Sequence, residues 1–212
     1  MTPKSFLYAE ADGVGKITLN RPDRYNALTF EVYAELAAFF KHLNERESCR
    51  VVIITGAGRA FCSGGDVEDI IGELFALRKP IIGALNGVVC GAGAAIATAC
   101  DLRIASPFAK CAFLFTKVGL SGADMGACFL LPRIVGITKA TELLMGGEFI
   151  SADEAHRIGL YNEIVPADKL AARAAEWAGK LAAGPQFGLM MTKELLNRAM
   201  SFDLENALEA EA

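Results

Sequence analysis

The feature that most constrains this chain is the apolar run Val51-Val52-Ile53-Ile54, which passes through Thr55 into Gly56-Ala57-Gly58. A β-branched run with no polar alternation does not suit a half-solvated sheet; it needs cover on both faces. A second run, Ile81-Ile82-Gly83-Ala84-Leu85, leads into Asn86-Gly87. A third, Asp101 to Ala105, follows the small apolar stretch Gly91 to Cys100, which reads as a buried helix. Strand, helix and strand alternate, so the expected class is α/β.

Around this centre, Phe6 to Ala9 and Val14 to Leu19 read as strands joined through Ala11-Asp12-Gly13, a hairpin signal. Thr29 can cap a helix on which Val32, Tyr33, Leu36, Phe39, Phe40 and Leu43 recur at helical spacing, with an end near Asn44. Ser151-Ala152-Asp153-Glu154 has the form of a capping box, with Gly159 as the C-cap of a short helix. Pro166 opens an alanine-rich helix that should stop at Gly184-Pro185, and another helix begins after Gln186. The division expected is a core over 1–166 and a helical region over 167–212.

With 212 residues, 53% of them hydrophobic, the chain can bury a large single core. A formal net charge of -4 with 22% charged residues gives no basic footprint for nucleic acid. The cysteines (Cys49, Cys62, Cys90, Cys100, Cys111 and Cys128) fall mostly in apolar runs without zinc-site or disulfide-scaffold spacing, as expected of buried thiols in a reducing compartment. The opening MTPKSFLYAE has no basic stretch before an apolar core, and no run approaches the roughly 18 residues of a membrane span. A cytoplasmic protein with small-molecule or protein partners is expected, with no metal, membrane or nucleic-acid partner.

Two glycine-rich turns follow buried strands: Ala60-Phe61-Cys62-Ser63-Gly64-Gly65-Asp66 and Cys90-Gly91-Ala92-Gly93-Ala94-Ala95. Small residues let a ligand approach the backbone, and the second turn opens a helix whose first amides lack intrahelical acceptors. Those amides carry the positive end of the helix dipole, where negative charge is stabilised.

Taken with GVGKITLNRPDRYNALT, VVIITGAGRAFCSGGDV, KPIIGALNGVVCGAGAAIATACDLRIAS and GEFISADEAHRIGLYNEIV, in that order, the chain resembles the enoyl-CoA hydratase/isomerase (crotonase) superfamily over nearly its whole length. The resemblance implies a ClpP/crotonase-type spiral of ββα units with C-terminal helices for trimerisation, assembled as a homotrimer or dimer of trimers. It implies a lyase or isomerase of fatty-acid metabolism that needs no cofactor beyond the coenzyme A of its acyl-CoA substrate. In that family, two backbone amides, here those of Gly65 and Ala92, hold the thioester oxygen as an enolate forms. Coenzyme A is then expected along Arg24, Ala27, Leu28, Ala60, Phe61, Ser63, Gly64, Asp66 and Gly91. Asp66 equally suits a turn aspartate bonded to nearby amides.

The resemblance has departures. Where typical hydratases place two glutamates, this chain has Ala95 and either Phe115 or Thr116. A carboxylate does occur in Gly119-Leu120-Ser121-Gly122-Ala123-Asp124-Met125-Gly126, similar to the segment that carries a catalytic aspartate in dienoyl-CoA isomerases of the family. Asp124, expected to be partly desolvated, is therefore the candidate acid/base, with a helix cap as its bland alternative. Glu142 suits a surface or subunit contact better than catalysis. His42 and His156 lie on amphipathic helices without a nucleophile or metal-ligand partner beside them.

Between Asp66 and Lys79 the family carries a longer stretch, so residues are expected to be missing after Gly72, and further helices are expected beyond Ala212. Two other functions compete: a non-catalytic acyl-CoA-binding homologue that has lost its carboxylates, and a serine peptidase on the ClpP-type spiral with Ser63 as nucleophile. The second needs a base that the sequence does not supply.

Overall fold

The structure, a computed structural model, describes residues 1–65, 70–122, 124–199 and 201–211. Strands β1 (Phe6–Ala11) and β2 (Val14–Leu19) form the expected hairpin, closed by Asp12 and Gly13, both with positive φ as a two-residue turn of this twist requires. Helix α1 (Phe30–Glu45) follows. Thr29 occupies its N-cap position, but its side chain makes no cap hydrogen bond.

Three successive units then repeat one pattern. Strand β3 (Val51–Gly56) is followed by β4 (Ala60–Cys62) and α2 (Ile71–Phe75); β5 (Ile81–Leu85) by β6 (Val88–Cys90) and α3 (Ala92–Ala99). The third unit has β7 (Leu102–Ala105) and β8 (Cys111–Ala112), then α4 (Ala127–Val135) and α5 (Ile137–Gly146). Further on come α6 (Ala152–Arg157), β9 (Glu163–Ile164), α7 (Leu170–Ala183), α8 (Gln186–Ala199) and α9 (Leu204–Glu211).

The first strand of each unit joins a six-stranded sheet ordered β1-β2-β3-β5-β7-β9, and the second joins a three-stranded sheet ordered β4-β6-β8. All pairings from β2 onward are parallel. This is the expected ββα spiral. The small sheet was not anticipated: Phe61, Cys62 and Cys90 read as turn residues but belong to strands two or three residues long, too short for a periodic signal.

The continuous apolar run of β3 is explained by cover on two sides. Val51 and Ile53 pack with Ile82, Ala84 and Ile104 against Leu170, Ala174, Ala178 and Ala182 of α7. Val52 and Ile54 face the main core with α1, α2 and α3. Truncating a fully buried residue such as Ile54 to Ala would cost about 2–5 kcal/mol.

At the predicted capping box, the Ser151 hydroxyl accepts the Glu154 amide at 3.1 Å, but the Glu154 carboxylate turns to Arg157 at 2.6 Å instead of reaching back. The C-cap is Ile158, with Gly159 one residue later. Around Gly72 the chain makes a helical turn: Leu74 donates to Ile70 O and Ala76 to Gly72 O, each at 2.9 Å. Among the described residues no helix is long and apolar enough to cross a membrane.

Candidate functional site

The two glycine-rich turns meet at the ends of β4 and β6. A Cβ built on Gly64 would lie 3.8 Å from Ala92 N and 3.9 Å from Gly91 Cα, in ordinary van der Waals contact, so the two turns touch at this point. Gly64 has φ +114, a conformation open to glycine and poorly to other residues. On the partner turn, a Cβ on Gly93 would sit 2.3 Å from Cys62 O, so the first turn of α3 is pressed directly onto the end of β4.

Gly91 is the N-cap of α3 and its carbonyl accepts the amides of Ala94 and Ala95 at 3.0 and 3.1 Å. Ala92, the first helical residue, is too early in the helix to have an intrahelical acceptor for its own N–H. Gly65 pairs in a parallel bridge with Leu28, whose amide donates to Gly64 O at 2.8 Å. In a parallel bridge the flanking peptides carry the hydrogen bonds, which turns the N–H of Gly65 itself away from Leu28. Gly65 is exposed, whereas Ala92 is buried at 1%. The arrangement can offer two amides, one of them at a helix dipole's positive end, to an oxygen that gains charge.

Two asparagines, Asn26 buried and Asn86 half-buried, hold this loop, and neither was singled out from the sequence. Asn26, with φ +57, donates through Nδ2 to Ala57 O and Ala60 O at 2.9 and 2.8 Å and accepts Arg21 N at 2.8 Å. Asn86 donates to Gly58 O and Ala60 O at 2.9 and 3.0 Å and accepts Gly56 N at 3.1 Å. The signal was an Asn beside each turn: Asn26 inside RYNALT and Asn86 ahead of Gly87.

The expected coenzyme segments run side by side. Ser63 N donates to Tyr25 O at 3.0 Å, and Ser63 Oγ to Arg24 O at 3.4 Å. Arg24 is exposed and Ala27 half-buried, and Arg21 Nη1 holds the Ala27 carbonyl at 2.6 Å. Ala60, Phe61 and Leu28 are buried, so their side chains position the segment and only their backbone could meet a ligand. Asp66 lies outside the described residues.

Ala95 is fully buried on α3 and Phe115 is in the core; Thr116 is exposed, with its hydroxyl 3.4 Å from Met145 O. Asp124 is half-buried. Its Oδ1 accepts Met125 N at 2.9 Å and its carbonyl accepts Ala127 N at 3.0 Å. The cap of α4 is Gly126, with no side-chain cap bond, so the alternative role of Asp124 as a side-chain cap is not realised. Glu142 sits on the surface in an ion pair with Lys139 at 2.7 Å.

Burial pushes the thiols nearest the turns up, Cys62 to about 12 and Cys90 to about 11. They stay neutral, with the Cys90 thiol donating to Ser63 O at 3.2 Å. Ser63 meets a carbonyl where a nucleophile would need a base, while the His156 ring is bonded to Tyr161 O at 2.9 Å. Among the described residues no group of three or more His, Cys, Asp or Glu is placed to hold a metal ion.

Residues 9–212 match the family model described as Enoyl-CoA hydratase/isomerase. The chain is 36% identical to the 1,2-epoxyphenylacetyl-CoA isomerase of Escherichia coli (strain K12), with 94% of this chain and 84% of that protein covered. The crystal structure of enoyl-CoA hydratase from Bacillus anthracis superposes with a TM-score of 0.93 at 32% identity, covering 98% of this chain and 88% of that one. A monofunctional enoyl-CoA isomerase from M. smegmatis gives a TM-score of 0.87 at 35% identity, covering 97% and 99%. With the spiral and its two joined turns, these matches establish that the chain belongs to the enoyl-CoA hydratase/isomerase family.

Proposed function

We propose that the protein is an acyl-CoA hydratase or double-bond isomerase whose Gly65 and Ala92 amides receive the thioester oxygen as it becomes an enolate. The observation that carries this reading is the meeting of the two turns, with Gly64 at φ +114 beside Ala92, whose N–H opens α3 without an intrahelical acceptor. Removing an α-proton, or adding water across a conjugated double bond, moves charge onto that oxygen. One preorganised donor is worth about 2.7–4 kcal/mol to such a transition state.

Asp124 is the acid/base of this proposal. Ala95, Phe115 and Thr116 supply no carboxylate, and Asp124 is half-buried beside Met125, which packs on the core. Coenzyme A would lie along Arg24, Ala27, Leu28 and Ser63 to Gly65, with no further cofactor. Assembly as a trimer or dimer of trimers through the 167–212 region, and a cytoplasmic location, belong to the same proposal. The relatives named above carry enzyme names, which does not favour the non-catalytic binder.

The test is to incubate the protein with crotonyl-CoA and a panel of 3-enoyl- and dienoyl-CoAs. Turnover of at least one is expected, together with a strong loss in Asp124→Asn. A protein that binds coenzyme A and turns over none overturns the reading; activity untouched by Asp124→Asn removes Asp124 from it.

A further inference from the structure

One turn beyond the vacated glutamate position Ala95, on the same face of α3, Thr98 borders an open cleft of about 320 Å³ lined also from α2, α4 and α8. That volume is within the range of small-ligand pockets, about 300–1,000 Å³. One wall is apolar, from Phe75, Phe129, Leu130 and Ile134, with the Phe75 and Phe129 rings edge to face at 6.2 Å.

The other wall is cationic. Arg103, only 7% exposed, lines the cavity with its Nε on Leu160 O and its Nη1 on the α3 carbonyls of Ala97 and Cys100. Arg133 lines it from α4, stacked 3.6 Å over the Phe129 ring. Among the described residues no carboxylate pairs with either arginine. The acid in the lining, Asp101, is engaged by Lys193 at 2.9 Å and by Ile81 N at 2.7 Å. The apolar residues thus share the cavity with two guanidinium groups that no carboxylate bonds directly, Arg103 feeling only the field of the Lys193-engaged Asp101, a pattern complementary to an amphipathic anion.

We infer that this cavity binds an apolar chain ending in a carboxylate. Two sources share that chemistry: a free medium-chain acid, or the far end of an acyl group whose thioester lies at Ala92. The second source rests on the functional reading above. Along α3, Ala92 to Thr98 advances about 9 Å, a span that a medium-length acyl chain can cover.

The experiment is calorimetric titration of the full chain with octanoate and with octan-1-ol, on the wild type and on Arg133→Met, an exposed substitution. Octanoate should bind about tenfold more tightly than the alcohol, the scale of one charge-assisted hydrogen bond, and Arg133→Met should erase most of that preference. Equal binding of acid and alcohol by the wild type, or a preference unchanged in the variant, overturns the inference.

The two sources separate when octanedioyl-CoA and octanoyl-CoA are compared as ligands. Tighter binding of the dioyl ester marks the acyl end as the occupant. Equal binding of the two esters, with octanoate still preferred over octanol, marks the free acid. The titration needs no turnover. A chain that turns over enoyl-CoAs without a carboxylate preference fails here alone, and a chain that binds octanoate but processes no thioester fails only the functional reading.

Discussion

The position a methyl group would take on Gly64 is 3.8 Å from the amide nitrogen of Ala92, and Gly64 itself sits at φ +114. Gly64→Ala therefore does two separable things. It strains the turn by about 1–3 kcal/mol, visible as a lower urea midpoint. It also brings a methyl into contact with the Ala92 amide from which the substrate oxygen is to accept, so kcat should fall about 10²-fold or more, the scale of losing one donor. An unchanged kcat in a folded variant would show that charge does not develop at that spot.

The asparagines extend this argument to the loop behind the turns. Asn86→Ala strands Gly58 O and Gly56 N and takes one of two donors from Ala60 O, which Asn26 still serves. Gly58 is exposed and Gly56 half-buried, so water recovers part of each bond and the cost should lie at the low end of about 1–3 kcal/mol per group. Asn86→Asp keeps the acceptor for Gly56 N but loses the donor to Gly58 O. Its unfolding midpoint should fall between those of wild type and Asn86→Ala; an Asp variant as stable as wild type would mean the donated bonds contribute nothing.

These residues also mark where sequence reading succeeds and where it stops. The two-sided burial of Val51 to Ile54 and the helix before Cys100 were legible because apolar content alone dictates them. The strands Ala60–Cys62 and Val88–Cys90 were not, since three residues carry no period. Gly64, Gly65, Gly91 and Ala92 were legible as two turns, but their contact is tertiary: it depends on Gly93 packing on Cys62 O. Asn26 and Asn86 were passed over because an Asn in a turn ordinarily serves its own turn, whereas these bond carbonyls of another segment, up to 34 residues away.

Helix α8 is anchored by a charge. Lys193, 8% exposed, bonds Asp101 Oδ2 at 2.9 Å and Lys79 O at 3.0 Å, while the same carboxylate oxygen receives Ile81 N. Lys193→Met leaves Asp101 with one amide donor for its charge. The Asp101 carboxylate left behind is 30% exposed, so the loss should fall short of the about 3–5 kcal/mol of a fully buried pair, and chemical denaturation should register about 1–3 kcal/mol. A loss below about 1 kcal/mol would place the pair with surface ion pairs of little weight.

Alkaline stability follows from the buried thiols. Burial pushes Cys100 from its ordinary 9.0 to about 12, and Cys111 and Cys62 likewise. Below pH 9.0 these thiols are protonated in both states and stability does not depend on them. Above it the unfolded chain releases protons that the folded chain retains up to about 12, so stability falls as pH rises. The slope approaches about 1.4 kcal/mol per pH unit for each such thiol. Urea unfolding of wild type and Cys100→Ala across the alkaline range should show a shallower decline in the variant by one thiol's slope. Parallel declines would assign the alkaline loss to other groups.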